Sequence, residues 1–558
     1  MTDRPDRANQ RAPGPSAPVG EDSGPRLEII EMHWERVQLV LSARVPAGAD
    51  GIDPAELVLR RVPGVADVDD ARLAMSPTRV REAEDVLTIR WNVMAGPGQM
   101  PLDPGRWRLE VSGSPIRVSG GSPEPGTVAA RFAYARGEIV VVPTIGSGDG
   151  ALWLDVGLAQ TDPGSRPVAP RRSGPGQRIR RLWNRQRRRI FRTLYAIARR
   201  VTRRTGRRIL FASDSRAELG GNLKVVWDRM IDRGLDRDYR LLKLFRPSIT
   251  DRRSLRDRIR MPWLLATADV ILIDDYMPVI YGIDDPGVRI IQLWHASGAF
   301  KTVGYSRVGK AGGPSPFSRI HKNYSYAIVS SDHDVPFYAE AFGIPESRVV
   351  PTGIPRMDRF FDSEARARGR EAALAAFPMS RGRTAILFAP TFRGGTRTAS
   401  YDTGRIDYEA LHALATEKDA VVIFKMHPFV REPLRIPDAL RDRLVDATAS
   451  PVDVNDLLFV VDLLITDYSS IVFEFSTLGR PMLFFAYDLE EYVADRDFYV
   501  PFEEFVPGRI VRTFDALLDA IRREDYELEK VHAFAARHFD HLDGSSTDRV
   551  IDELVIAR

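Results

Sequence analysis

The 558-residue chain contains no cysteine, which excludes disulfides, thiolate nucleophiles and zinc–cysteine sites. No apolar run approaches the length of a membrane-spanning helix. Met1 to Gly24 is rich in proline, glycine and charge but lacks the apolar core of a signal peptide, so residues 1–25 read as a disordered leader and a cytoplasmic chain fits best. Gly-x-Gly-x-x-Gly and Walker patterns are absent, as are solenoid repeats. Ligand sets for metals are poor. Asp274-Asp275 and Asp284-Asp285 are adjacent pairs whose side chains normally diverge, and His321 and His333 lack partners at helical spacing, so neither a metal nor a cofactor is expected. What is present is ordinary globular composition, 44% hydrophobic and 28% charged, enough for about three or four domains.

Acid is also missing where base is concentrated. The net charge is only +4, yet Arg171 to Arg208 holds 16 arginines and no acidic residue. Ile179, Leu182, Trp183, Ile190, Leu194, Ile197 and Val201 recur there at three- and four-residue steps, which predicts an amphipathic helix with an apolar stripe and a basic face. Such a helix, spanning about 178–204, suits an anionic membrane surface. A linker helix packed on a neighbouring domain is the competing reading. No zinc-knuckle or RRM-like pattern supports nucleic acid as a partner.

Residues 26–160 carry short runs of alternating polarity, such as Val37-Gln-Leu-Val-Leu and Leu87-Thr-Ile-Arg-Trp, separated by turns such as Asp103-Pro-Gly. They predict a β-sandwich, and with His33 as its one histidine it reads as an accessory domain. Residues 161–207 read as a linker and the basic helix. From Ile209 strands alternate with helices in two blocks, 208–380 and 381–558, each with the rhythm of a doubly wound parallel sheet. The expected fold is therefore α/β, two Rossmann-type domains facing a cleft, preceded by the sandwich and the helix.

Chemistry concentrates where predicted strands end. After Val461-Asp-Leu-Leu-Ile, Ser469 and Ser470 open a helix whose first N–H groups suit a diphosphate, with Glu474 one turn on, within reach of a ribose. His295, after Trp294, has the pKa range of a general base for an attacking hydroxyl. His427, two residues after Lys425, is positioned to stabilise charge on a departing phosphate. Arg356 and Arg393 offer forked donors for phosphate. Each has a plain structural alternative: a helix cap, a strand-end hydrogen bond or a salt bridge.

Taken together and in order, Leu210-Phe-Ala-Ser, Gly221-Asn-Leu-Lys224, Thr466-Asp-Tyr-Ser-Ser470, Arg480-Pro-Met-Leu-Phe-Phe-Ala-Tyr-Asp-Leu-Glu-Glu-Tyr492 and Phe498 to Gly508 resemble the CDP-glycerol glycerophosphotransferase family, the teichoic acid polymerases and primases. The resemblance covers about residues 207–545. It implies a GT-B-like pair of lobes, the first on the acceptor side and the second on the CDP-donor side. The implied reaction moves glycerol phosphate from CDP-glycerol to a hydroxyl of a membrane-linked glycan or polyol phosphate polymer, with release of CMP at the cytoplasmic membrane face. By matching motif, His295 is the base, His427 stabilises the diphosphate, Ser469 and Ser470 hold phosphate, Glu474 contacts ribose, and Asp467, Thr391, Arg393 and Arg356 shape the pocket. The chain departs from the family at Trp294-His-Ala-Ser297, where Gly-Thr is usual, and at Gly353-Ile-Pro-Arg-Met-Asp358, which leaves the polyol open. CDP-ribitol transfer, nucleotide-sugar glycosyl transfer and a non-catalytic glycan-binding role are the alternatives. The sequence carries no signal for oligomeric state.

Overall fold

A computed structural model describes residues 25–46, 52–63, 73–83, 86–119, 128–135, 137–147, 150–159, 175–251, 253–283, 285–394 and 398–557. The leader expected at residues 1–25 and the linker ahead of the basic helix therefore fall almost wholly outside the described residues.

The N-terminal region forms two largely antiparallel sheets, one of five strands and one of seven. Their inward residues alternate along each strand, as in Gly137–Ile145, and include Leu41, Ile89, Trp91, Trp107, Leu109, Val141 and Leu154 in a single core. Period-two burial on facing sheets is what the alternating runs encode.

Two six-stranded parallel sheets follow. The first runs in the spatial order Arg240–Phe245, Arg208–Ser213, Val270–Ile273, Arg289–Gln292, Tyr326–Ile328, Val349–Val350. The second runs Leu444–Asp446, Ala420–Phe424, Thr384–Phe388, Leu463–Thr466, Met482–Phe485, Arg509–Val511. Val270–Ile273 and Ala420–Phe424 are buried at every position, because helices cover both faces and leave no polar side for alternation. In such sheets ligands meet the carboxyl ends of the strands, where the strand order reverses. His295, Asp467, Ser469, Ser470, Thr391, Arg393 and His427 all follow those ends.

The last segment returns to the first lobe. Ser546 and Thr547 donate backbone N–H groups to Asp358 at 3.0 and 2.8 Å, Arg229 grips Asp548, and Arg289 donates to the carbonyls of Leu554, Val555 and Ala557. The chain thus straps the lobes together at its end.

Helix Pro175–Val201 divides its duties between the two readings of its stripe. Phe191 and Tyr195 pack on the first lobe beside the buried Ala198, and Asp285 receives Tyr195, Arg199 and Arg204. Ile190, Ile197 and Val201, expected on the same apolar face as one another, remain 59%, 50% and 65% exposed. The side chains of Ile179, Leu182 and Trp183 lie outside the described residues.

Candidate active site

His295 sits on a turn held under tension. Trp294 has φ 49°, left-handed for a bulky side chain that is buried, a conformation that costs free energy and persists only because its surroundings enforce it. Gln292 Oε1 accepts the Trp294 N–H at 2.9 Å, and Asn222 Nδ2 donates to the carbonyls of Leu293 and Trp294 at 3.0 and 2.8 Å. The Asn222 Oδ1 then receives the Arg356 N–H at 3.0 Å, so one amide fixes two candidate residues. The His295 ring is half exposed, tilted against Trp294, with Nδ1 3.4 Å from the Asp274 carbonyl and 3.9 Å from an Asp275 carboxylate oxygen. Asp274 is buried, paired with Arg216 at 2.7 Å, and burial raises its pKa against the opposing pull of Arg216.

The turn after His295 lies directly on the second lobe. Ser297 Oγ donates to Glu474 Oε1 at 2.7 Å, and Arg356 reaches both Glu474 and Ser297 Oγ, the latter at 3.0 Å. Gly298 is required by space: a Cβ there would come within 2.1 Å of the Phe473 ring. Since Glu474 and Phe473 follow Ser469 and Ser470 by one turn, the base candidate and the phosphate candidates share one interlobe seam. Glu474 is buried and already neutralised by Arg356, a partnership the sequence did not indicate.

The serine turn differs from expectation in detail. Ser470 occupies the cap position with α-region backbone and makes no side-chain cap bond; instead Ser469 Oγ accepts the Ile471 N–H at 3.3 Å. The helix it opens, Ile471–Ser476, has only six residues, so its end partial charge is a modest contribution to anion binding. Ser470 remains exposed and Ser469 partly so.

Arg393 and Asp467 are occupied with each other. Asp467 accepts the backbone N–H groups of Thr391 and Tyr468 at 2.7 and 2.6 Å and the Arg393 guanidinium at 2.8 Å. Arg393 also makes a bidentate pair with Asp488 at 2.6 and 2.8 Å, within a ring of Tyr401, Tyr468, Tyr487 and Tyr492. These carboxylates hold its pKa above the usual arginine value despite the opposing effect of burial, and its fork is filled by protein. Thr391 Oγ1 is buried without a partner among the described residues.

Sequence reasoning missed Lys301. It lies six residues after His295, and its ammonium donates to the Tyr492 hydroxyl at 2.8 Å. The neighbouring Thr302 N–H donates to Asp497 O at 2.9 Å and Tyr499 N–H to Phe300 O at 3.0 Å, a short antiparallel join between the lobes. Burial lowers the Lys301 pKa to about 8, with Asp467 opposing and Arg496 and Arg393 adding to the fall. Burial likewise lowers His427, with Lys301 the next cause, so the two groups share one environment. His427 packs against the rings of Phe392 and Phe429, which also touch each other, and its Nδ1 accepts the Phe429 N–H at 3.2 Å. A cavity of about 350 Å³ at Met379, Leu434, Ile436 and Leu444 involves none of these residues.

A sequence profile of the CDP-Glycerol:Poly(glycerophosphate) glycerophosphotransferase family matches residues 193–556. The chain is 48% identical over 367 residues to the teichoic acid ribitol-phosphate polymerase TarK of Staphylococcus aureus (strain NCTC 8325 / PS 47), covering 65% of this chain and 71% of that protein. It is 46% identical over 367 residues to TarL of the same strain, covering 65% of each, so a third of that relative has no counterpart in the match. Among solved structures it is similar to the wall teichoic acid polymerase TagF, with a TM-score of 0.55, 21% identity, and coverage of 68% of this chain and 94% of the other. Both lobes and the seam between them fall inside the matched region, and the chain belongs to the CDP-Glycerol:Poly(glycerophosphate) glycerophosphotransferase family.

Proposed function

We propose that the chain transfers ribitol phosphate from CDP-ribitol to a terminal hydroxyl of a membrane-linked, teichoic-acid-like polymer and releases CMP. The motif resemblance alone points to glycerol phosphate, with ribitol phosphate as an alternative. The ribitol-phosphate polymerases that it matches at 48% and 46% identity favour ribitol instead. The acceptor oxygen attacks the distal phosphorus of the donor, a new O–P bond forms, and the bond to the bridging oxygen breaks, leaving the electron pair on CMP. In this reading His295 takes the acceptor proton, and His427 with the Lys301 ammonium offsets negative charge on the leaving CMP. Ser469 and Ser470 supply hydroxyls and N–H groups to the phosphates, while Arg356, Asn222 and Glu474 keep the turn of His295 seated on the second lobe. Asp467, Thr391 and Arg393 shape the pocket rather than contact phosphate.

The observation that carries this reading is the Ser297–Glu474–Arg356 contact, two residues from His295 and four from Ser470. The test compares CMP release from CDP-ribitol, CDP-glycerol and UDP-sugars as donors, using the full chain and a polyol phosphate-primed acceptor. CDP-ribitol is expected to give the highest kcat/KM, and His295→Ala to lower it by about 10²–10⁴. Nucleotide release from UDP-sugars alone would exclude polyol transfer.

We further propose that the enzyme works as a peripheral protein on an anionic bilayer. No described helix is long and apolar enough to cross a membrane. Ile190, Ile197 and Val201 of the basic helix are exposed, and the helix Leu255–Thr267 that packs beside it also exposes Leu255, Ile259 and Trp263. Apolar groups set among the arginines suit insertion into the headgroup layer of anionic lipid. Sedimentation with phosphatidylglycerol vesicles but not phosphatidylcholine vesicles is expected, weakened by salt and by Ile197→Glu with Ile259→Glu. Equal sedimentation with both lipids would argue against it.

A further inference from the structure

Beside the seam, three potential ligands converge from two parts of the chain far apart in sequence. His333 and Asp334 follow the strand Tyr326–Ile328 of the first lobe, and His538 ends the helix Leu528–His538, which packs on Ile471–Ser476 of the second. One ligand atom from each of the three lies within 4.8 Å of the others.

The local electrostatics leave this group incomplete. Asp334 is 0% and His538 3% exposed. The Asp334 carboxylate has no lysine or arginine partner among the described residues; its Oδ1 accepts a long 3.4 Å bond from the Ala299 N–H, and its Oδ2 has no partner. His538 Nδ1 stands 3.4 Å from Asp334 Oδ1 without hydrogen-bond geometry. Phe473, Phe505 and Phe534 enclose the rest of the imidazole, so its polar outlet is toward Asp334 and His333. A buried carboxylate and a buried imidazole left this way cost several kcal/mol unless a cation or proton completes them. Arg81 and Arg537 are near enough to His333 to act on it electrostatically, and the Asp332 N–H donates to Asp540 at 2.7 Å beside the group.

We propose that His333, Asp334 and His538 form a binding site for one borderline divalent cation, with zinc the best match. Two neutral imidazoles and one carboxylate are a nitrogen and oxygen set that suits zinc, and ligand distances of about 2.0–2.2 Å require the three atoms to close to about 3.3 Å of one another. Rotation of the partly exposed His333 ring supplies much of that movement and leaves the fourth position to water. The ion clips the helix Leu528–His538 to the first lobe beside Ala299, four residues after His295, so its role is to hold the lobes together rather than to meet the donor.

The test uses the full chain stripped with a chelator, returned to one equivalent of zinc or cobalt and desalted. The expected results are about one retained metal per chain, a cobalt visible spectrum of low-symmetry type, and a melting temperature raised by about 3 °C or more. His333→Asn and the isosteric Asp334→Asn should each lower zinc affinity at least about tenfold, whereas His412→Asn, at a surface pair with Asp442, should not. Retention below about 0.1 equivalent, or retention unchanged in both His333→Asn and Asp334→Asn, overturns the site. These readouts involve no donor, so they stand or fall separately from the transfer reaction.

Discussion

His321 is fully buried among Tyr276, Tyr281, Trp294, Tyr324 and Phe342, directly behind the turn that presents His295. Burial lowers its pKa to about 3 from an ordinary value near 6.5. The folded value lies below the unfolded one, so the native state binds fewer protons between those limits; its stabilisation is complete above about pH 6.5 and is lost as pH falls toward 3. The difference is on the order of 5 kcal/mol. His321→Gln should therefore flatten the fall in stability between pH 6.5 and 3 measured by denaturant melts, even if it is less stable at neutral pH. Lys301 gives the opposite limb. With a folded pKa of about 8 it carries charge at pH 7 and loses it above 8, so kcat/KM should fall on the alkaline side with an apparent pKa near 8. Lys301→Arg should move that limb up, and an unchanged limb would remove Lys301 from the transition state. His295 and His427 were legible in sequence because each follows an apolar strand run. Lys301 was not, because its burial comes from Tyr492 and the 497–499 segment, which no local pattern links to it.

At the scale of elements, central strands announced themselves as apolar runs, and the helix Val335–Phe342 as a segment stopped by Gly343 at φ 61°. The edge strands Leu444–Asp446 and Arg509–Val511 did not, since three residues are too few to carry a period. The basic helix was legible as amphipathic but not as two-faced: Phe191 and Tyr195 meet the lobe, while the Ile190, Ile197 and Val201 stripe stays outside. Helix Ile471–Ser476 and the Gly298 turn meet so closely that their contact makes a prediction. Gly298 has no left-handed φ, so Ala would be refused for lack of room against Phe473, not for backbone strain. Gly298→Ala should cost about 1–3 kcal/mol. The double variant Gly298→Ala with Phe473→Leu should recover part of it. A double-mutant cycle in denaturant melts measures the coupling, and strict additivity of the two changes would mean that the turn and the helix are not in contact in solution.

At the scale of the whole molecule, the N-terminal sheets pack on the first lobe as part of one body. Glu340 of the first lobe is fully buried and receives Arg36 at 2.7 and 3.1 Å and Gln38 at 2.7 Å, all from that region. Lys322 donates to Met94 O at 2.8 Å, and Tyr305 and Val308 enter the core of the sheets. Tyr499, carried on the segment from the second lobe, lies 5.1 Å beneath the Arg36 guanidinium, so three regions meet at one ion pair. Burial alone would lower the Arg36 pKa, and Glu340 more than offsets it. A pair of this kind is costly to break from one side, because the remaining charge is stranded in a low dielectric. Glu340→Gln should therefore destabilise by about 3–5 kcal/mol and uncouple the N-terminal sheets, seen in calorimetry as an earlier, separate transition and in hydrogen exchange as loss of protection in Gln38–Arg44. Replacing both partners, Arg36→Met with Glu340→Leu, removes the stranded charge and should restore much of the loss and a single transition. If Glu340→Gln melts like the parent in one step, the sheets are held by their apolar contacts alone, and the ion pair serves only to fix how they sit on the lobe.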